Sequence, residues 1–159
     1  MTIQTHDNRL AARLLAVQAL YQMELAGTSL DEVIAQFQTH NIDAPLDNLQ
    51  AGIDLPAADA EFFEFILRGV IAHQVEIDRL VDSYLGDKWQ LARLDSTLRA
   101  ILRCGVQELA HGENVPRKVV ISQYVDLAHA FFDGAEGGMA NALLDNIARQ
   151  LSETGMADD

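Results

Sequence analysis

An all-α fold is predicted by three features of this chain. Apolar residues recur at three- and four-residue spacing along most of its length, which gathers them on one face of a helix. Glycine (10) and proline (3) are few among 159 residues, and long stretches contain neither. No pair of alternating apolar–polar runs stands out as strands, and no internal repeat appears. A hydrophobic fraction of 49% supports a packed core. The length fits one domain over residues 1–159, built as a compact bundle of six to seven helices.

The first helix is predicted from Arg9 to Ala26, with Asp7 or Asn8 as its cap and Gly27 as its stop. Leu10, Leu14, Val17, Leu20 or Tyr21, and Leu25 form its inner stripe. Ser29-Leu30-Asp31-Glu32 has the spacing of a capping box and opens a short second helix, with Leu30, Val33, Ile34 and Phe37 inside. Residues 40–56 mix Asn, Asp, Gly and two prolines without periodicity and read as a linker-like surface loop. A long third helix is expected from Pro56 to Leu85. Gly69 interrupts it at a cost of roughly 1 kcal/mol relative to Ala, which a close helix–helix approach would explain. The fourth follows Asp95 as N-cap and ends near His111-Gly112. The fifth begins after Pro116 and runs to about Phe132. The sixth covers about Met139 to Leu151, after a loop marked by Gly134, Gly137 and Gly138, and an acidic tail over 152–159 is expected to fray.

The net charge of −13 argues, taken alone, against a phosphate-binding protein. Its distribution is more informative. Residues 27–85 hold two basic residues against eleven acidic ones. Residues 86–118 hold six basic residues (Lys88, Arg93, Arg99, Arg103, Arg117 and Lys118) against four acidic ones, and Arg9 and Arg13 stand in an otherwise neutral N-terminal block. A fold that joins these two blocks would place one cationic face on a chain whose remainder repels nonspecific nucleic acid. The other reading is a scatter of cations over solvated faces.

A single cysteine, Cys104, permits no intrachain disulfide and no cysteine-based zinc site, and a reducing compartment is the simplest setting. The N-terminal Met-Thr-Ile-Gln-Thr-His-Asp lacks the basic n-region of a signal peptide. No run of 18 apolar residues exists, so neither a membrane span nor a membrane partner is expected. No phosphate-cradling glycine loop and no Gly-x-Ser-x-Gly elbow is present. Cys104 lies between apolar neighbours and reads as core, since a reactive thiolate needs an exposed electropositive setting. Glu108-x-x-His111 and Asp126-x-x-His129 each place a carboxylate and a histidine on one helix face, with Glu61 or Glu64 as an imaginable third ligand. Carboxylate-bridged di-metal bundles need two such turns and two further carboxylate helices, and this chain lacks the full set. No catalytic residue, metal ligand or cofactor is therefore expected.

Several stretches, taken in order, resemble the bacterial NusB antitermination family. Arg9-Leu-Ala-Ala-Arg13-Leu-Leu-Ala-Val-Gln18-Ala-Leu-Tyr21-Gln22 is similar to its opening, and Ile77-Asp78 with Leu80 and Trp89-Gln-Leu-Ala-Arg93-Leu94 to its centre. Leu98-Arg99-Ala-Ile-Leu-Arg103-Cys-Gly-Val-Gln-Glu108-Leu109 resembles its most recognisable segment. Val115-Pro-Arg117-Lys118-Val-Val-Ile121, Val125-Asp-Leu-Ala128-His-Ala-Phe131 and Asn141-Ala-Leu-Leu-Asp145-Asn-Ile-Ala148 continue the likeness, which spans roughly residues 9 to 150.

The resemblance implies two small helical subdomains and no chemistry. It implies binding to the boxA element of ribosomal RNA leader transcripts, jointly with the ribosomal small-subunit protein NusE, within a cytoplasmic antitermination complex on RNA polymerase. By that resemblance Arg9, Arg13, Gln18, Arg117 and Lys118 are expected to bind RNA, and Tyr21, Arg99 and Arg103 to face the partner. Single-stranded RNA is usually held by phosphate contacts, base stacking and base-edge hydrogen bonds, and these residue types can supply each. Core packing is the competing role for Tyr21, and an internal ion pair for Arg103. The chain departs from the family at Leu10 and Ala11, where more arginine is usual, and at Ser122-Gln123, where Asn-Glu is usual. It departs also at Met139-Ala-Asn-Ala142, where Phe-Val-Asn-Gly is usual and an aromatic could stack on a base. The alternative is a helical protein-interaction module that has lost RNA binding. A fused methyltransferase is disfavoured, because no methyl-donor domain follows. The sequence leaves a homodimer open.

Overall fold

The computed structural model describes residues 3–41 and 57–154. Among them lie seven α-helices and no strand: α1 (Ile3–Ala26), α2 (Leu30–Gln36), α3 (Ala60–Ala72), α4 (Gln74–Tyr84), α5 (Ser96–His111), α6 (Arg117–Phe131) and α7 (Glu136–Glu153). A π-helical turn (Phe37–Asn41) extends α2, and a 3₁₀ turn (Leu91–Arg93) precedes α5. None of these helices is long and apolar enough to cross a membrane.

The two groups of helices divide at the end of α3. α1 packs on α3 and α2; α5 packs on α4, α6 and α7, and also on α1 and α3, so it joins the halves. Most of α5 is buried, as its neighbours on five helices require. Leu98, Ile101, Leu102, Val106 and Leu109 carry the apolar contacts, joined in the core by Leu14, Phe63, Ile66, Tyr124 and Leu144. Cys104 is buried among them, and burial pushes its thiol well above the ordinary value.

Several ends follow the predicted chemistry. Ser29 and Glu32 form a reciprocal capping box on α2. Asp95 caps α5 through the Thr97 amide, and Gly27 closes α1 at φ +68°. Several boundaries differ. α1 begins at Ile3, so Asp7 and Asn8 lie within the helix and do not cap it; the Asn8 carbonyl instead accepts from the Asp59 amide. The long third helix is two helices, broken at His73, whose φ of −113° and ψ of 19° lie outside the helical region. α7 begins at Glu136, not Met139, with Gly137 and Gly138 inside it. A Cβ at Gly137 would collide with the His129 ring, so this glycine serves the close contact of α6 with α7. Gly69 serves the same purpose on α3, lying under the Gln107 side chain of α5. α7 continues to Glu153, past the predicted start of fraying. The rest of the tail, and the 40–56 loop beyond Asn41, lie outside the described residues.

Candidate nucleic-acid and partner interface

Two pairings fix how the basic blocks meet. Arg13 of α1 reaches Glu108 of α5, and Glu24 of α1 reaches Arg99 of α5. α1 and α5 are therefore antiparallel. The start of α1 lies beside the end of α5, where the short connection into α6 begins. Arg9 and Lys118 accordingly share one end of the molecule, while Tyr21, Arg99 and Arg103 lie toward the other. The blocks do come together, and where they meet Arg13, Arg99 and Arg103 are each paired with a carboxylate, so positive charge is not simply pooled there.

Arg13 is the clearest departure from expectation. It is 1% exposed. Its Nε and Nη2 donate to the two Glu108 carboxylate oxygens at 2.6 and 3.0 Å, and Nη1 donates to Gln123 Oε1 at 3.2 Å. Tyr124 donates its hydroxyl to Glu108 Oε1 at 2.6 Å. The Phe62 ring covers the guanidinium, its centroid 4.9 Å from Cζ. Burial opposes the charge on Arg13, but the Glu108 hydrogen bond and carboxylate charge, with the Tyr124 hydroxyl, outweigh it and hold the pKa above the ordinary value. Burial foremost, with the Glu108 carboxylate, pushes the Tyr124 phenol well up. Arg13 thus does not lie on the surface where a phosphate could meet it. Arg117, also expected on RNA, is buried too: Nη1 donates to the Ala148 carbonyl at 3.1 Å and to the Ser152 hydroxyl of α7.

The other expected RNA residues face outward to differing degrees. Lys118 is exposed beside an open hollow of about 360 Å³ between α6 and α7, with Ser122, Asp126, Asn141 and Asp145 around it. Gln18 is partly exposed. Arg9 is partly exposed, with Cζ 4.5 Å from the Phe62 ring centroid and an enclosed Nε that meets no acceptor among the described residues.

At the opposite end, Tyr21 is 42% exposed and lies one turn from Leu25, which is exposed as well. Arg99 donates to both Glu24 oxygens, at 2.5 and 3.2 Å, and through Nη1 to the carbonyls of Leu91 and Leu94, so it also ties down the 3₁₀ turn. Arg103 makes a two-pronged pair with Asp78 of α4, at 2.8 and 2.9 Å. A hydrogen bond from Ser96, then Arg99 and Arg103, lowers the pKa of Glu24. These two arginines line an open groove of about 780 Å³ between α4, the 3₁₀ turn and α5, with Val75, Asp78, Asp82 and Leu91 on its walls. Val75 is 75% exposed there.

The carboxylate–histidine turns do not converge. Glu108 points to Arg13 and Tyr124, while the His111 ring stacks on His73 at 3.9 Å between centroids and sits 3.6 Å from Glu76. No group of three His, Cys, Asp or Glu among the described residues is placed to hold a metal ion. Sequence reasoning missed three partners in this region: Gln123 in the Arg13 cluster, Gln107 hydrogen-bonded to His73 at 3.1 Å, and Glu24 as the clamp on Arg99. The available signal was a charged or amide side chain lying within an apolar stripe.

The model of the NusB family matches residues 10–149. The transcription antitermination protein NusB of Rhizobium rhizogenes is 47% identical over 148 residues, covering 93% of this chain and 90% of the relative. That of Rhodopseudomonas palustris is 47% identical over 147 residues, covering 92% and 85%. Among solved structures, T. maritima NusB superposes with a TM-score of 0.72 at 26% identity, covering 89% of this chain and 91% of that one. A structure described as antitermination factors NusB and NusE in complex with dsRNA contains a chain with a TM-score of 0.70 at 24% identity, covering 90% and 97%, a likeness of fold.

Proposed function

This chain belongs to the NusB family of transcription antitermination proteins, and from that premise we propose that it is a cytoplasmic, non-catalytic antitermination factor. It holds boxA-type single-stranded RNA of ribosomal leader transcripts together with NusE, as part of the complex on RNA polymerase. The observation that carries the reading is the family match over nearly the whole chain, at close to half identity with named relatives. The physical arrangement supports a division of labour. Arg9 and Lys118, at the end shared by α1 and α6, are the expected cations with access to a phosphate. The groove between α4 and α5, with Tyr21 and Leu25 nearby, combines exposed apolar side chains with paired charges, as protein-binding surfaces do. Arg99 and Arg103 shape that groove from within its ion pairs.

One observation favours the alternative of a protein-interaction module without RNA binding: Arg13, Arg99, Arg103 and Arg117 are all engaged internally. Fluorescence anisotropy with a labelled boxA-type RNA and a scrambled control, each with and without NusE, separates the readings. Antitermination predicts tighter binding of boxA than of the scrambled strand, strengthened by NusE. Equal binding of both strands in the presence of NusE contradicts it, and NusE binding without RNA discrimination supports the module.

A further inference from the structure

We infer that Phe65 is a base-stacking residue for single-stranded RNA, the outer rung of an aromatic ladder that starts at Arg9; the inference rests on the RNA-binding reading above. Phe65 lies on α3 and is 41% exposed, although a large aromatic at an unpartnered helix position normally turns inward. It is not isolated. Its ring stacks on Phe62 with 6.3 Å between centroids and 22° between planes. On Phe62 in turn rest the guanidinium of Arg9, at 4.5 Å, and that of the buried Arg13, at 4.9 Å. Arg13 and Glu108 thus fix the inner end of the ladder, Phe62 is held by them, and Phe65 presents the free end.

Chemistry narrows what such a surface takes. A cation next to a partly covered and then an exposed aromatic side chain suits a strand whose charge runs along its backbone and whose flat bases can turn aside onto a ring. Arg9 brings the positive charge, and its side chain is partly exposed. The exposed Glu61 carboxylate, one turn before Phe65 on α3, discourages a phosphate directly at that rung and leaves it to a neutral base. The strand would therefore lie with a phosphate at Arg9 and a neighbouring base on Phe65.

The test is a titration of boxA-type RNA carrying 2-aminopurine, in the presence of NusE, against the unsubstituted chain, Phe65→Ala, Phe65→Leu and Phe65→Tyr. Stacking on a ring is sequence-tolerant and modest, so Phe65→Ala and Phe65→Leu are expected to weaken binding about tenfold. Phe65→Tyr should restore it. Because no phosphate contact is removed, the salt dependence should not change, and the quenching of one 2-aminopurine should be lost only in Ala and Leu. Unchanged affinity and quenching in Phe65→Ala, while the unsubstituted chain still discriminates boxA, overturns the inference and leaves the functional reading standing. Failure of the unsubstituted chain to discriminate boxA overturns both. A loss in Phe65→Ala of NusE binding measured without RNA shows that the ring covers a protein instead, and overturns the inference as well.

Discussion

Arg13 shows how the role of a residue depends on what faces it. A guanidinium in the first helix of a chain that handles RNA would ordinarily be counted among its phosphate contacts, yet here Glu108, Gln123, Tyr124 and Phe62 enclose it. The pair is worth little against an apolar replacement but a great deal against the loss of one partner. Glu108→Ala leaves a buried cation without its anion and should cost about 3–5 kcal/mol in urea denaturation. Replacing both residues with apolar ones of similar volume should recover most of that loss. A double replacement that costs the sum of the two single ones would show that the two do not act as a pair. His111 offers a second test at this scale. Its pKa is lowered, first by burial and then by the charge of His73 stacked upon it, against which Glu76 acts weakly. A histidine depressed in the folded state binds protons more readily when unfolded. Stability should therefore fall as pH drops through the ordinary histidine value near 6.5 toward the lowered one. Chemical denaturation of the unsubstituted chain and His111→Gln at pH 7.5 and 5.5 checks this: the loss on acidification should be smaller in the variant.

At the scale of the element, the glycines carry the packing. Alanine at an exposed helical glycine usually gains about 1 kcal/mol. Gly69→Ala should instead destabilise by about 1–3 kcal/mol, because its methyl would meet Gln107, which is buried and tied to His73 and cannot swing clear. Thermal unfolding gives the sign directly. The same scale shows what was legible in the chain. The stripes of α5 and α6, the capping box of α2 and the Asp95 cap are local and were readable, because spacing and cap chemistry lie within one turn. The break at His73 was silent. Val70, Ile77 and Val81 keep helical register across it, and no proline or capping side chain marks it. The start of α7 was misplaced because Gly137 looked like loop, whereas His129 on another helix is what requires it.

On the proposed function, a strongly acidic chain addresses an anion only at selected points. Glu108, Glu24 and Asp78 are set against Arg13, Arg99 and Arg103, so net charge per sequence block was a poor guide to surface charge. That the two basic blocks meet was legible only through family resemblance. That Arg13 and Arg117 turn inward was not legible, since their partners lie 95 and 31–35 residues away. On the proposed function phosphate contact falls to Arg9 and Lys118, and structural support to Arg13 and Arg117. The most direct measurement is the dependence of boxA-type RNA affinity on salt, with NusE present, for the unsubstituted chain, Arg9→Ala and Lys118→Ala, each checked for unchanged thermal stability. Each removed contact to a single strand should flatten the plot of log affinity against log salt by about 0.7. Unchanged slopes in both variants, while the chain still selects boxA over a scrambled strand, would contradict the account.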